Sequence, residues 1–137
     1  MSLSAPNAHV GNIDGFSFPL LQNNTKQPVT ITGYRIAGVP AGIEVLGYSV
    51  FSVDDTPGYL MGYSYKPAQH TPDLSKYPDY SGKPITINAG QTSDRYIMAK
   101  VEITGTVVGS LTGCQLNYTQ GSQAYTQTID CTYGFNG

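Results

Sequence analysis

The sequence predicts an all-β protein, a two-sheet antiparallel sandwich of about seven to eight strands. Three observations lead there. Apolar and polar residues alternate with period two in one stretch after another, the stretches recurring every 10 to 15 residues or so. Sixteen Gly and nine Pro punctuate these stretches, as strand-joining turns require. No stretch carries an amphipathic helical period over three turns. A closed barrel answers the same pattern and is the alternative.

The elements follow in order. Residues 1–12 hold Ser, Pro, Ala and Asn with little pattern and read as a flexible leader that opens on a tag-like Met1-Ser2-Leu3. Residues 13–137 then form one domain, a length that suits a single core. Phe16 to Leu21 is short and apolar, and Pro19 confines it to an edge strand or a strand start. Val29 to Ile36 alternates, but Tyr34 and Ile36 fall on the other parity from Val29 and Ile31. A bulge or bend at Gly33 explains that shift. Ile43 to Phe51 is the next strand, interrupted by Gly47. Tyr59 to Tyr63 follows the turn Asp54-Asp55-Thr56-Pro57-Gly58. Pro84 to Asn88 and Arg95 to Ile103 are further strands, with Tyr96 or Ile97 starting the buried set.

Ser64 to Lys83 differs. Pro67, Pro72 and Pro78 break it up, and a loop of this length is usually functional or disordered. It is expected to be irregular, with some Tyr rings turned inward and others exposed.

The C-terminal hairpin turns near Gly121-Ser122 and carries the two cysteines of the chain. Alternation puts Cys114, Leu116 and Tyr118 on one face of the first arm. It puts Tyr125, Gln127, Ile129 and Cys131 on one face of the second. If Gln120 lies opposite Tyr125, Leu116 faces Ile129 and Cys114 faces Cys131, so a disulfide can form across the hairpin. Two unbonded buried thiols are the other reading.

Composition bounds the function. Charged residues make up 12% of the chain, about half the usual share, and the net charge is −2. That balance gives no electrostatic reason to bind nucleic acid or anionic lipid. No apolar run has the roughly 18 residues a membrane helix needs. Low charge, abundant Thr, Asn, Gln and Tyr, and a Cys pair favour an extracytoplasmic location, secreted or at the cell surface, the leader or anchor lying outside this sequence.

Catalytic chemistry finds little material. The two histidines are His9, in the leader, and His70, in the long loop. His70 with Asp73 reads as loop polarity, and Gly-x-Ser-x-Gly is absent. Asp54-Asp55 reads as a turn-forming pair, with calcium as the weaker reading. The Cys and His spacings suit neither zinc nor blue copper, so no catalytic residue, metal or cofactor is assigned. Asn23-Asn24-Thr25 and Asn117-Tyr118-Thr119 match the glycosylation acceptor pattern.

Binding chemistry has more. Tyr63, Tyr65, Tyr77 and Tyr80 cluster in and beside the long loop, together with Tyr59. Tyr offers a flat ring and a hydroxyl at low entropic cost, which suits contact with a protein or a cell-surface glycan. Packing beneath the loop is the competing use of the same rings.

Pro28 to Tyr34, then Gly38-Val39-Pro40-Ala41-Gly42-Ile43, then Val45 to Tyr48, resembles the opening of small bacterial extracytoplasmic domains with an immunoglobulin-like sandwich. Pro84 to Gln91 is similar to their strand-then-Gly-turn unit, and Leu116 to Gln127 resembles their closing hairpin. The resemblance covers residues 24 to 131. It implies a non-catalytic interaction or structural module, part of a secreted or membrane-anchored protein. The alternative is a carbohydrate-binding module using the loop tyrosines. Two features depart from true immunoglobulin domains: there is no Trp, and the Cys pair lies within one hairpin.

Overall fold

In the computed structural model, which describes residues 2–5, 9–65 and 74–135, the alternating stretches become strands. They are β1 (Ser2–Ala5), β2 (Ile13–Ser17), β3 (Val29–Gly38), β4 (Ile43–Ser52), β5 (Gly62–Ser64), β6 (Ile85–Ile87), β7 (Arg95–Ile103), β8 (Leu111–Gln120) and β9 (Gln123–Phe135). The one helical element among the described residues is a short 3-10 turn, Leu74–Lys76. Among the described residues nine strands therefore stand where about seven to eight were expected. The additional one is β1, inside the stretch read as a leader. It pairs in parallel with Thr132–Phe135. Its partner is at the far end of the chain, so no local pattern announced it.

The strands form a five-stranded sheet in the order β1-β9-β8-β3-β6 and a four-stranded sheet in the order β4-β7-β2-β5. Apart from β1 and β9, neighbours run antiparallel. The main core draws on both sheets: Ile31, Leu116 and Tyr133 from one, Phe16, Val50, Ile97 and Val101 from the other. Side chains of this size each contribute roughly 1.5–3 kcal/mol when fully buried.

Two expectations need correction. Phe16 to Leu21 is not an edge strand. β2 ends at Ser17, before Pro19, and lies between β7 and β5. Proline removes a ladder donor only at its own position, so Ile13 to Ser17 can pair on both sides. The hairpin register also differs. Gln120 pairs with Gln123, Leu116 with Gln127 and Cys114 with Ile129. The turn is the two residues Gly121-Ser122, with Gly121 at φ 61°. Gly in the first position suits the tight turn whose twist matches the flanking strands, and this wins over a four-residue loop.

That two-residue shift preserves the faces but moves Cys131 past Cys114. A bulge restores the contact. Between Thr112 and Cys114 the register slips, so Asp130 and Cys131 together oppose Gly113. Cys114 and Cys131 form the disulfide with Cα atoms 5.8 Å apart, not the closer spacing of a directly opposed, non-hydrogen-bonded pair. The bulge expected at Gly33 is present, between Ile31 and Gly33, and β4 has another between Val45 and Gly47.

Candidate functional site

The four-stranded sheet is covered on both faces, and the sequence of β7 shows why. Tyr96, Ile97, Met98 and Ala99 are all buried, so alternation disappears. Ile97 and Ala99 face the main core. Tyr96 and Met98 face outward into a second cluster with Phe51 and Leu74, roofed by Val53, Tyr59, Leu60, Tyr63, Tyr65 and Tyr77. The roof is drawn from residues 53–65 and 74–80, between β4 and β6.

Specific bonds fasten it. The Tyr59 hydroxyl donates to the Phe18 carbonyl at 2.6 Å, and the Ser17 hydroxyl donates to the Leu60 carbonyl. Tyr96 and Thr56 share a hydroxyl hydrogen bond of 2.8 Å. At the other margin, the Tyr80 N–H donates to the Val50 carbonyl (2.8 Å), and the Val50 N–H donates to Asp79 Oδ1 (2.9 Å). Tyr65 lies against β2 because Gly15 has no side chain. A Cβ there would come within 3.1 Å of the Tyr65 ring and 2.8 Å of Met98 Sδ.

Among the described residues the roof leaves a gap. An open cleft of about 360 Å³ lies on this face, and Tyr63, Tyr65 and Tyr77 line it with Ser49, Asp79 and Lys100. The Tyr63 and Tyr65 rings meet edge to face at 4.8 Å. The Lys100 ammonium stands 4.8 Å from the centre of the Tyr65 ring, a cation–π contact. Burial, then Tyr63 and Asp79, push the Tyr65 hydroxyl up to about 12, so it stays a neutral donor. The cleft thus offers ring faces, hydroxyls, an ammonium and a carboxylate.

Three of the four tyrosines singled out in the sequence meet at this cleft, and Tyr80 does not. Tyr80 donates to Asp55 Oδ2 at 2.9 Å and carries the Arg95 guanidinium 4.0 Å over its ring. Sequence reasoning missed Ser49, Asp79 and Lys100. The pairing of β4 with β7 and the fastening of Asp79 to Val50 bring them together, and no local pattern signals either.

Other singled-out residues fall elsewhere. His70 and Asp73 lie outside the described residues, and His9 is exposed. Asp55 is engaged by Tyr80, and the Asp54 N–H donates to Ser52 Oγ. Asn23 is buried, its amide donating to the Gln27 and Ile87 carbonyls and its Oδ1 accepting from Thr25. It is a loop anchor, inaccessible to a glycosylating enzyme in the folded chain. Asn117 is exposed. A second hollow, of about 240 Å³, opens between the 19–25 loop and β8–β9. Ile31, Ile87, Leu116 and Ile129 line it, so it is a window onto the core side chains. Among the described residues, no three His, Cys, Asp or Glu side chains gather as a metal site, and no helix is long and apolar enough to cross a membrane. No protein-family model matches the chain, and no curated protein matches it.

Proposed function

We propose that the chain is a non-catalytic extracytoplasmic interaction or structural module of a secreted or membrane-anchored protein, and that the cleft at Tyr63, Tyr65 and Tyr77 is its ligand contact. The observation that carries this reading is the convergence of three tyrosines, from within and beside the long loop, with Lys100 and Asp79 on one open face. The disulfide supports the location, since such bonds persist in oxidising compartments. Strand order supports an immunoglobulin-like sandwich. Taken in chain order, β2, β3, β4, β7, β8 and β9 distribute between the sheets as strands B to G do in that fold, giving D-E-B and G-F-C. β5, not a first strand, borders β2.

A carbohydrate is the second reading, favoured by one feature of the cleft. Ser49, Asp79 and Lys100 can bond hydroxyl groups while a tyrosine face stacks on a sugar ring. Titrating isotope-labelled protein with a panel of cell-surface glycans and surface-protein peptides, read by amide shifts, tests both. Binding should map to the cleft and be lost in Tyr77→Ala and Lys100→Ala, while Arg35→Ala on the other sheet keeps it. Tight binding indifferent to both cleft variants would overturn the assignment.

A further inference from the structure

Exposed sheet edges expose unpaired backbone groups, and proteins protect them by shortness, charge, bulges or covering chain. Most edges here are protected. β5 and β6 have three residues each, and β1 has four. β4 is broken by its bulge and bonded at Val50 by Asp79 and Tyr80. β3 beyond its three residues paired with β6 has a bulge, the charge of Arg35 and a bond from the Ile36 N–H to the Tyr48 hydroxyl. From Gln123 to Ile129, β9 has none of these devices. β1 covers it from Thr132 to Phe135, and among the described residues no strand lies outside Gln123 to Ile129. That stretch, Gln-Ala-Tyr-Thr-Gln-Thr-Ile, has no charge and no proline, and its pairing with β8 is regular. Gln123 to Thr128 are all exposed. Tyr125 is 44% exposed even while its ring stacks on Tyr118 at 5.2 Å.

We infer that this edge pairs antiparallel with the same edge of a second copy of the chain, about a two-fold axis at Thr126. The hydrogen-bond phase selects that centre. A two-residue turn makes Gln120 and Gln123 a hydrogen-bonded pair. By alternation, Ala124, Thr126 and Thr128 then point their N–H and C=O groups away from β8. An axis through Thr126 sets Thr126 opposite itself and Ala124 opposite Thr128 of the second copy. All the outward groups of these residues are satisfied at once, by about six backbone hydrogen bonds. Tyr125 comes opposite Gln127, which covers its exposed ring.

Charge does not oppose this pairing. Asp130, the first charge beyond the stretch, falls opposite Ser122 of the second copy. The two Asp130 side chains lie at opposite ends of the paired strands, about 27 Å apart at ~3.4 Å per residue, well beyond screening range.

Sedimentation equilibrium on the intact protein tests this, at concentrations up to about 1 mM. A monomer–dimer equilibrium is expected. Thr126→Lys sets two ammonium groups against each other at the axis and should weaken the dimer at least tenfold. Ala124→Lys with Thr128→Glu places opposite charges across the axis and should keep it. Ala124→Lys with Thr128→Lys should abolish it. Each variant sits on the exposed edge, and circular dichroism confirms that it is folded. A wild-type monomer throughout the range overturns the inference, as does a dimer that Thr126→Lys leaves intact. Equal weakening by the two double variants overturns the axis at Thr126 and with it the pairing.

Discussion

At Gly15 one missing methyl group decides whether the outer face of β2 can be covered. Any side chain there meets Met98 Sδ, which can swing aside, and the Tyr65 ring, which has less freedom. Gly15→Ala should therefore cost about 1–3 kcal/mol, as overpacking does. Chemical denaturation should show a lowered midpoint, and the near-ultraviolet tyrosine signal should shift with it. Gly42 is a harder case. Its φ is +86°, and a Cβ would strike the Thr106 carbonyl, which is backbone and cannot swing away. Gly42→Ala should destabilise more than Gly15→Ala in the same titration. Ionisation is the other residue-scale lever. Burial, then Tyr96, pushes the Tyr59 hydroxyl up to about 12, and Tyr65 reaches a similar value. The unfolded chain ionises near pH 10, so the folded state holds these protons more tightly. The stability this gives is complete below pH 10 and is lost as pH rises towards 12. Denaturation midpoints should fall across that window, and Tyr59→Phe should flatten the fall. A midpoint independent of pH between 10 and 12 would contradict the burial of these hydroxyls. The sequence made the tyrosines conspicuous but not their partners, because Tyr59 bonds to a carbonyl 41 positions away.

At the scale of elements, local chemistry was legible and pairing distance was not. The stretch Arg95 to Ile103, read from the sequence as a strand, is β7 to the residue. The parity change at Gly33 marks a real bulge, because two consecutive phases of burial cannot share one flat strand. The bulge at Gly113 was invisible. It depends on Gly113 at φ 79°, where a Cβ would sit 3.2 Å from the Ala37 Cβ and 3.3 Å from Thr128. Ala37 belongs to β3, so the constraint is not local. The cleft was half legible for the same reason: Tyr63 and Tyr65 are neighbours in sequence, but Lys100 reaches them across a sheet. The disulfide closes a separation of 17 residues, for which chain entropy gives about 3 kcal/mol. Cys114→Ala with Cys131→Ala should lose that much or somewhat more, since both sulfurs are buried and leave a void. Intact mass with alkylation before and after reduction checks the bond itself. Two thiols alkylated in unreduced protein exported to an oxidising compartment would remove the bond and weaken the extracytoplasmic reading.

At the scale of the molecule, the four-stranded sheet separates two unequal clusters, and this predicts unequal stability. Among the described residues, the inner cluster has eighteen buried residues drawn from both sheets. The outer one has four among the described residues, of which Leu74 comes from the roof and Phe51, Tyr96 and Met98 from the sheet. Were the roof to lift by itself, β7 would keep its pairing with β4 and β2. Among the described residues of that roof, Leu74 is the buried aliphatic anchor, 5% exposed. Leu74→Ala should remove about 2 kcal/mol or more from the closed state. If opening is sub-global, the whole loss appears in the amides that the roof itself protects. The Ser17 amide bonds to Met61, the Tyr65 amide to Ile13 and the Tyr80 amide to Val50. Their hydrogen exchange should accelerate by about thirtyfold, since 1.4 kcal/mol is a factor of ten. The amides of Ile97 and Val101 in β7 should change much less, because they open only with the sheets. Uniform acceleration of both sets would show one cooperative unit, and the cleft would then be as rigid as the core. A selective change would place the candidate ligand contact on the least stable layer of the fold, where a bound ligand can order the roof and gain affinity from doing so.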